Sequence, residues 1–225
     1  MKNFFLFPKN RPKGDFSLSI IREGYYFAGA ALLIALILYF INPYAAILPC
    51  VLAAYCLYFF RNPARKIPAD SSLIVSPADG TVQEVVHLDG DDFIHLPCYK
   101  VIIFLSVFDV HVNRAPIAGQ IKVQKYVCGQ FRPAYKDSVG FENERHLIGI
   151  ENENLRVTVT QIAGILARRI VSWVTLDDKL DKGELYGLIR FGSCTEIVIP
   201  DNVDILVKKG EKVRGGETVI GRIRG

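Results

Sequence analysis

The chain has 225 residues, half of them hydrophobic, with 27 basic and 23 acidic side chains and a formal net charge of +4. This length allows one domain plus an appendage, and the composition excludes an intrinsically disordered chain. The basic residues form no stripe with interleaved aromatics, so we expect no nucleic-acid partner, and a membrane surface fits better. Five cysteines without metal-ligand spacing argue against a disulfide framework, and we expect no metal.

The N-terminal part of the chain predicts a membrane anchor. No charged side chain occurs between Tyr25 and Phe60, and Asn42-Pro43 interrupts this run near its centre. The two apolar arms have about 17 residues each, at the short end of what spans a bilayer. Basic residues flank both ends of the run and none lies in the turn, so both ends should be cytoplasmic. We predict a transmembrane helical hairpin in the cytoplasmic membrane. A re-entrant hairpin and a buried helical pair in a soluble protein are the alternatives.

These patterns give four predicted segments. Residues 1–23 form a basic N-terminal segment, 24–60 the membrane hairpin, 61–70 a proline-punctuated linker and 71–225 a catalytic domain facing the cytoplasm.

Residues 71–225 predict a mainly β domain with few helical signals. Eight or more short runs rich in branched residues, such as "YKVIIFLSV" and "LRVTVTQI", are bounded by glycine, proline or Asp-Gly. The C-terminal "VDILVKKGEKVRGGETVIGRI" predicts two strands around a glycine-rich turn, as in lipoyl-like hairpins. A lipoyl-type domain needs a single lysine at an exposed hairpin tip, and the sequence shows no such tip there. This pattern therefore informs the fold and carries little weight for function.

Polar residues interrupt three of the apolar runs and are the candidates for chemistry. They are Asp79 in "SPADGTV", His111 and Arg114 in "LSVFDVHVNRAP", and Gly192-Ser193 in "YGLIRFGSCTEIVIP". Asp79 could be an ordinary turn residue, and Gly192-Ser193 could be a β-bulge. Together they supply an acid, a base and a hydroxyl, which can activate a weak nucleophile. These residue types would also suit a Ser-His-Asp hydrolase. The G-x-S-x-G nucleophile elbow found in many such hydrolases is absent from this sequence.

The order of several motifs resembles the short bacterial and archaeal phosphatidylserine decarboxylase proenzymes. The motifs are "FFRNPARKIP" after a membrane hairpin, "SPADGTV", "LSVFDVHVNRAPIAG", "NERHLIGI", "QIAGILARRIV" and "GLIRFGS", and they cover nearly the whole chain. The Gly-Ser pair after "IRF", some thirty residues from the end, is the most specific of them.

The resemblance implies that the chain cuts itself between Gly192 and Ser193. The products would be a larger fragment, 1–192, and a smaller one, 193–225, held together as a heterodimer or a higher oligomer. Ser193 would become a covalent pyruvoyl group that forms a Schiff base with the amine of phosphatidylserine and replaces pyridoxal phosphate as the electron sink. Loss of CO2 would then give phosphatidylethanolamine.

Residue roles follow by the same resemblance. His111, oriented by Asp79, is the candidate base for the Ser193 hydroxyl, and it is also a candidate proton donor in decarboxylation. Longer family members carry a second histidine where this chain has Arg114, which could hold the substrate carboxylate or phosphate or form a plain salt bridge. His146 is an outside candidate that we expect at the surface, and Cys194 is expected to serve in packing.

Two other functions stay open at this point. The chain could be a membrane-tethered, lipoyl-like β binding module or a serine hydrolase acting on lipids.

The loop from Gly129 to Arg145 is a candidate for contact with the membrane interface. It carries Phe131, Tyr135 and Lys136, whose side chains suit such contact, although an ordinary surface loop is equally compatible.

Overall fold

The computed structural model describes residues 19–129, 143–164, 169–190 and 193–224, and for Ser193 the backbone alone. The chain divides into two compact units, with the boundary between Ala64 and Arg65. Each unit has its own architecture.

The first unit is a pair of apolar helices. Helix α1 spans Arg22–Ile41, helix α2 spans Ile47–Phe59, and a turn of 3-10 helix at Pro43–Ala46 joins them. The side-chain oxygen of Asn42 accepts a hydrogen bond from the Tyr44 N–H at 3.0 Å, so the Asn-Pro signal marks the end of α1.

Helix α1 is long and apolar enough to cross a membrane. Its 20 residues extend about 30 Å at about 1.5 Å per residue, which matches the hydrocarbon thickness of a bilayer. Helix α2 has 13 residues and is shorter than such a span. The face of α1 that packs on α2 carries small side chains, which let two helix backbones approach closely; its buried residues are Gly24, Ala28, Ala31 and Ala35.

The second unit is mainly β, as predicted. Its described residues form fourteen strands: β1 (Leu73–Val75), β2 (Gly80–Leu88), β3 (Cys98–Leu105), β4 (Val112–Arg114), β5 (Gly119–Val127), β6 (Arg145–Glu151), β7 (Arg156–Ala163), β8 (Ile170–Ser172), β9 (Lys179–Leu180), β10 (Leu185–Ile189), β11 (Ser193–Pro200), β12 (Val203–Ile205), β13 (Lys212–Val213) and β14 (Val219–Ile223).

The strands form one large and two small sheets. The large sheet has the order β13-β2-β3-β11-β7-β6-β5-β9, and the small sheets have the orders β4-β10-β8 and β1-β14-β12. The two predicted C-terminal strands do pair, since β12 and β14 are antiparallel neighbours with Val203 opposite Ile223. The chain between them contributes β13, which joins the edge of the large sheet.

Alternate residues of the large sheet build the hydrophobic core. In β3, for example, Val101, Ile103 and Leu105 are fully buried, as the period of two in a strand requires. Ile74 and Tyr186, from the two small sheets, belong to the same buried cluster. The small sheets therefore share one core with the large sheet.

Candidate active site

Ser193 begins the central strand β11 of the large sheet. Its backbone lies opposite Leu105 of β3 on one side and opposite Ala163 of β7 on the other. Gly192 and the Ser193 side chain lie outside the described residues. The cleavage position predicted from the sequence thus falls where a doubly paired strand begins.

Strand pairing places the ends of three pairs of consecutive strands side by side at the start of β11. β3 continues to β4, β7 continues to β8, and β10 continues to β11. In the large sheet β11 lies between β3 and β7, and in a small sheet β10 lies between β4 and β8. The strand ends on either side of Gly192 are therefore flanked by the strand ends of the other two connections.

His111 lies in the first of these connections and is almost fully buried. Its backbone carbonyl accepts a hydrogen bond from the Ile189 N–H at 3.1 Å, which fixes it beside the strand that leads to Gly192. Its Nδ1 lies 2.9 Å from the carbonyl oxygen of Asp109. A carbonyl only accepts, so Nδ1 of the neutral ring carries the hydrogen and the lone pair is on Nε2, as a general base requires.

A tight turn precedes His111 and holds its backbone. The Ser106 N–H donates to the Asp109 carboxylate at 2.8 Å, and the Asp109 N–H donates to the Ser106 carbonyl at 2.9 Å. The Phe108 N–H donates to the Ser106 hydroxyl at 3.2 Å. These local hydrogen bonds leave the carbonyl of Asp109 directed at the imidazole.

Asp79 has partners of its own. Both of its carboxylate oxygens accept from the Arg65 guanidinium, at 2.9 and 2.7 Å, and one also accepts from the Gly215 N–H at 2.8 Å. The described hydrogen bonds of Asp79 join it to Arg65 and Gly215, not to His111. The orientation of His111 by Asp79 stays a prediction.

Arg114 belongs to the same ionic cluster as Asp79. Its side chain is buried, and it donates to the Gly183 carbonyl at 3.0 Å. Burial, and then repulsion by Arg65, lower the pKa of the guanidinium to about 10, and the carboxylates of Asp79 and Glu217 oppose this shift. The described ion pairs of Asp79 and Glu217 in this cluster include those with Arg65, and Arg114 interacts with both carboxylates electrostatically. Whether Arg114 forms a salt bridge or binds the substrate anion stays a prediction.

Gly216 leaves room for the Arg114 side chain. Its φ is +80°, and a Cβ at this position would lie 2.9 Å from Cδ of Arg114. A larger residue would therefore be strained in backbone and crowded in space.

His146 and Cys194 are both buried. The expectation of a surface histidine was wrong, because His146 has no exposed area and burial lowers its pKa to about 4. The expectation for Cys194 is confirmed, since it packs with Ile102 and Ile162, and burial raises the pKa of its thiol.

Three buried polar side chains next to the site were not predicted from the sequence, namely Asn113, Gln161 and Thr195. Each is a polar residue inside an apolar strand, and that interruption was the only available signal. The interface loop predicted around Phe131, Tyr135 and Lys136 lies outside the described residues. Among the described residues, no group of three or more His, Cys, Asp or Glu side chains could hold a metal ion.

Comparison with known proteins identifies a family model and relatives that this chain matches. A family model described as phosphatidylserine decarboxylase matches residues 52–221. Three relatives are each named phosphatidylserine decarboxylase proenzyme. That of Carboxydothermus hydrogenoformans is 47% identical over 209 residues, which cover 92% of this chain and 98% of the relative. That of Symbiobacterium thermophilum is 45% identical over 205 residues, 91% and 95% of the two chains. That of Syntrophus aciditrophicus is 42% identical over 208 residues, 90% and 96%.

Proposed function

Because the chain belongs to the phosphatidylserine decarboxylase family of carboxy-lyases, we propose that it is a proenzyme that cuts itself between Gly192 and Ser193. The mature enzyme then converts phosphatidylserine to phosphatidylethanolamine and CO2. The observation that carries this proposal is the start of the central strand β11 at Ser193, flanked by the connection that holds His111.

Self-cleavage uses only groups of this chain and water. Nε2 of His111 takes the proton of the Ser193 hydroxyl, and the oxygen attacks the Gly192 carbonyl carbon. The peptide C–N bond breaks as an ester C–O bond forms, and the freed nitrogen gains a proton. Removal of the Ser193 Cα proton then expels the Gly192 carboxylate and leaves dehydroalanine. Water adds to it, and ammonia leaves, which gives a pyruvoyl group at position 193.

The fold fits a reactive group at this position. Strand β11 is paired with β3 along Ser193–Pro200 and with β7 over much of that length, so the smaller fragment stays in the sheet after cleavage. The new terminus would lie at the end of a central strand, where its backbone is held from both sides. A pyruvoyl carbonyl supplies an electron sink for the carbon that loses CO2.

The proposed roles of three side chains differ in kind. His111 is the base in cleavage and a proton donor in decarboxylation. Asp79 supports the site, and its described partners are Arg65 and Gly215. Arg114 as a ligand of the substrate carboxylate or phosphate stays a prediction, and its burial requires that the anion reach into the ionic cluster.

The helical unit fits a lipid substrate. A diacyl lipid leaves the bilayer at a cost of about 0.8 kcal/mol for each buried CH2, so the enzyme must meet the headgroup at the membrane. Helix α1 is apolar enough to serve as the anchor. The basic residues on both sides of the hairpin favour a catalytic unit on the cytoplasmic side of the cytoplasmic membrane.

Carboxyl-labelled phosphatidylserine in vesicles tests the reaction. We expect labelled CO2 and an equal amount of phosphatidylethanolamine from the wild type, and neither product from Ser193→Ala. Hydroxylamine should inhibit, because it captures a carbonyl, and serine-directed phosphonates should not. Phosphonate-sensitive release of fatty acid or headgroup would favour a serine hydrolase, and lipid binding without any product would favour a binding module.

A further inference from the structure

A continuous row of hydrogen-bonded polar side chains crosses the core of the β unit. Apart from Gln124, which is partly buried, its members have no exposed area. We call this row the buried amide relay; its members are Gln124, His146, Gln161, Asn113 and Thr195.

In the hydrogen bonds from Gln124 to His146 and from His146 to Gln161, the donor of each bond follows from which atoms can only accept. Nε2 of Gln124 lies 3.0 Å from the Val174 carbonyl oxygen and 3.0 Å from Nε2 of His146. Its two hydrogens serve these two acceptors, so Nε2 of His146 accepts and Nδ1 carries the hydrogen. That hydrogen is donated to Oε1 of Gln161 at 3.1 Å. His146 is therefore neutral, in agreement with its lowered pKa.

The second half runs in the same direction. Nε2 of Gln161 donates to Oδ1 of Asn113 at 2.8 Å, and Nδ2 of Asn113 donates to Oγ1 of Thr195 at 3.1 Å. No reversal of either amide is compatible with all of these contacts. The relay therefore has one consistent orientation, from Gln124 to Thr195.

The relay ends beside the residues proposed for cleavage. Asn113 follows His111 by two positions on β4, and Thr195 follows Ser193 by two positions on β11. Asn113 lies in a small sheet and Thr195 in the large sheet, so their hydrogen bond ties the two sheets together. Gln161 lies opposite Thr195 in the pairing of β7 with β11, which adds the third strand to the tie.

The surroundings of Gln161 are shaped for this arrangement. A Cβ at Gly187 of β10 would lie 3.0 Å from Nε2 of Gln161 and 2.5 Å from the Val171 carbonyl oxygen. The absence of a side chain at Gly187 therefore lets the amide lie against the neighbouring sheet. Because losing the partner of a buried amide is costly, a shift of these strands that broke the hydrogen bonds of the relay would be unfavourable.

We propose that Asn113, Gln161 and Thr195 are positioning residues that fix His111 relative to the Gly192-Ser193 bond. This inference rests on the proposed self-cleavage. A displacement of about 1 Å at a reacting centre can cost about 100-fold in rate. Loss of the hydrogen bond between Asn113 and Thr195 should therefore slow cleavage even in a variant that still folds. In this proposal the relay acts through the backbones of β4 and β11, which carry Asn113 and Thr195.

Thr195→Val tests the proposal with a matched control in the same protein. Valine keeps the shape of threonine and removes the acceptor of the Asn113 amide. Thr158→Val is the control, because Thr158 is also buried in the large sheet and also makes one 3.1 Å side-chain hydrogen bond, to Asp91, outside the relay. The measured quantity is the rate at which the smaller fragment appears after cell-free synthesis of the full chain, with the thermal midpoint recorded for each variant.

We expect Thr195→Val to slow cleavage by about 10-fold or more, and Thr158→Val to change it by less than about 2-fold at a similar loss of thermal stability. Thr195→Ser keeps the hydroxyl and should restore most of the rate. If Thr195→Val fails to fold, Thr195→Ser against Thr195→Ala gives the same contrast, since both lack the methyl group and only serine keeps the acceptor.

Equal rates for Thr195→Val and the wild type would overturn the proposal. Equal slowing by Thr158→Val would also overturn it, because the effect would then follow stability rather than position. A wild type that does not cleave would contradict the proposed function instead, so the two failures are distinguishable.

Discussion

The helical unit and the β unit have opposite distributions of large apolar side chains. In α1 the small residues are buried, and Leu33 and Phe40 are 60% and 80% exposed. In the β unit residues such as Ile74 and Ile103 are completely buried. The hydrophobic effect drives apolar side chains away from water, so the apolar outer surface of α1 fits the proposed membrane anchor, and the buried apolar side chains of the β unit fit a domain that folds in water.

The largest expected effect comes from a charge placed on the outer surface of α1. Leu33→Arg should reduce membrane retention strongly, since arginine in place of leucine near a helix centre costs about 3 kcal/mol of insertion free energy. The measurement is the fraction of protein that stays with membranes after alkaline carbonate extraction.

Leu176→Arg is the matched control in the β unit. Leu176 is 53% exposed, a fraction similar to the 60% of Leu33, and it lies in the unit that we propose is outside the bilayer. We expect unchanged membrane retention and a change in unfolding free energy within about 0.5 kcal/mol. Equal retention of Leu33→Arg and the wild type would contradict the assignment of α1 to the membrane.

A smaller effect is expected from pH, through a buried polar group of the β unit. The pKa of His146 is about 4 in the folded protein, below its ordinary value of 6.5. Between these values the unfolded chain binds a proton that the folded chain does not, so the unfolding free energy falls as the pH decreases from 6.5 towards 4. The loss at pH 5 should be about 2 kcal/mol.

Urea denaturation in detergent at pH 7 and pH 5 measures this loss. His146→Gln should flatten the difference between the two pH values, whereas His95→Gln, at an exposed position, should leave it unchanged. A pH dependence that persists in His146→Gln would mean that another group is responsible.

The smallest expected effect concerns the close packing of the two helices. A Cβ at Gly24 would lie 2.7 Å from Cβ of Phe60, whereas nothing lies within 4 Å of a Cβ at Gly29. Gly24→Ala should destabilise the helical unit by about 1 kcal/mol, because crowding outweighs the gain in helix propensity. Gly29→Ala should be neutral or stabilising by up to about 1 kcal/mol.

Thermal unfolding in micelles, followed by the helical circular dichroism signal, compares the two glycine variants. A lower midpoint for Gly29→Ala than for Gly24→Ala would be incompatible with the observed packing of α1 on α2.

The sequence was sufficient to predict features that depend on neighbouring residues. The helix break at Asn42-Pro43, the strands and the pairing of β12 with β14 all follow from local patterns. His111 and Ser193 could be selected as candidates because a polar residue in an apolar run and a Gly-Ser pair stand out locally, and their roles stay predictions.

Features that depend on distant strands could not be predicted. Asn113 and Thr195 are 82 positions apart, and only the register of β11 with its neighbours brings them together. His146 was misplaced at the surface because "NERHLI" contains no sign that Gln124 and Gln161 would satisfy both ring nitrogens. Asp79 meets Arg65 through a fold that the turn motif does not encode.

The most direct test of the account is the intact mass of the purified protein under denaturing conditions, beside a Ser193→Ala control. We predict two masses for the wild type, one for residues 1–192 and one for residues 193–225 with a blocked N-terminus, and a single full-length mass for the control. A single full-length mass for both proteins would contradict self-cleavage at Gly192-Ser193.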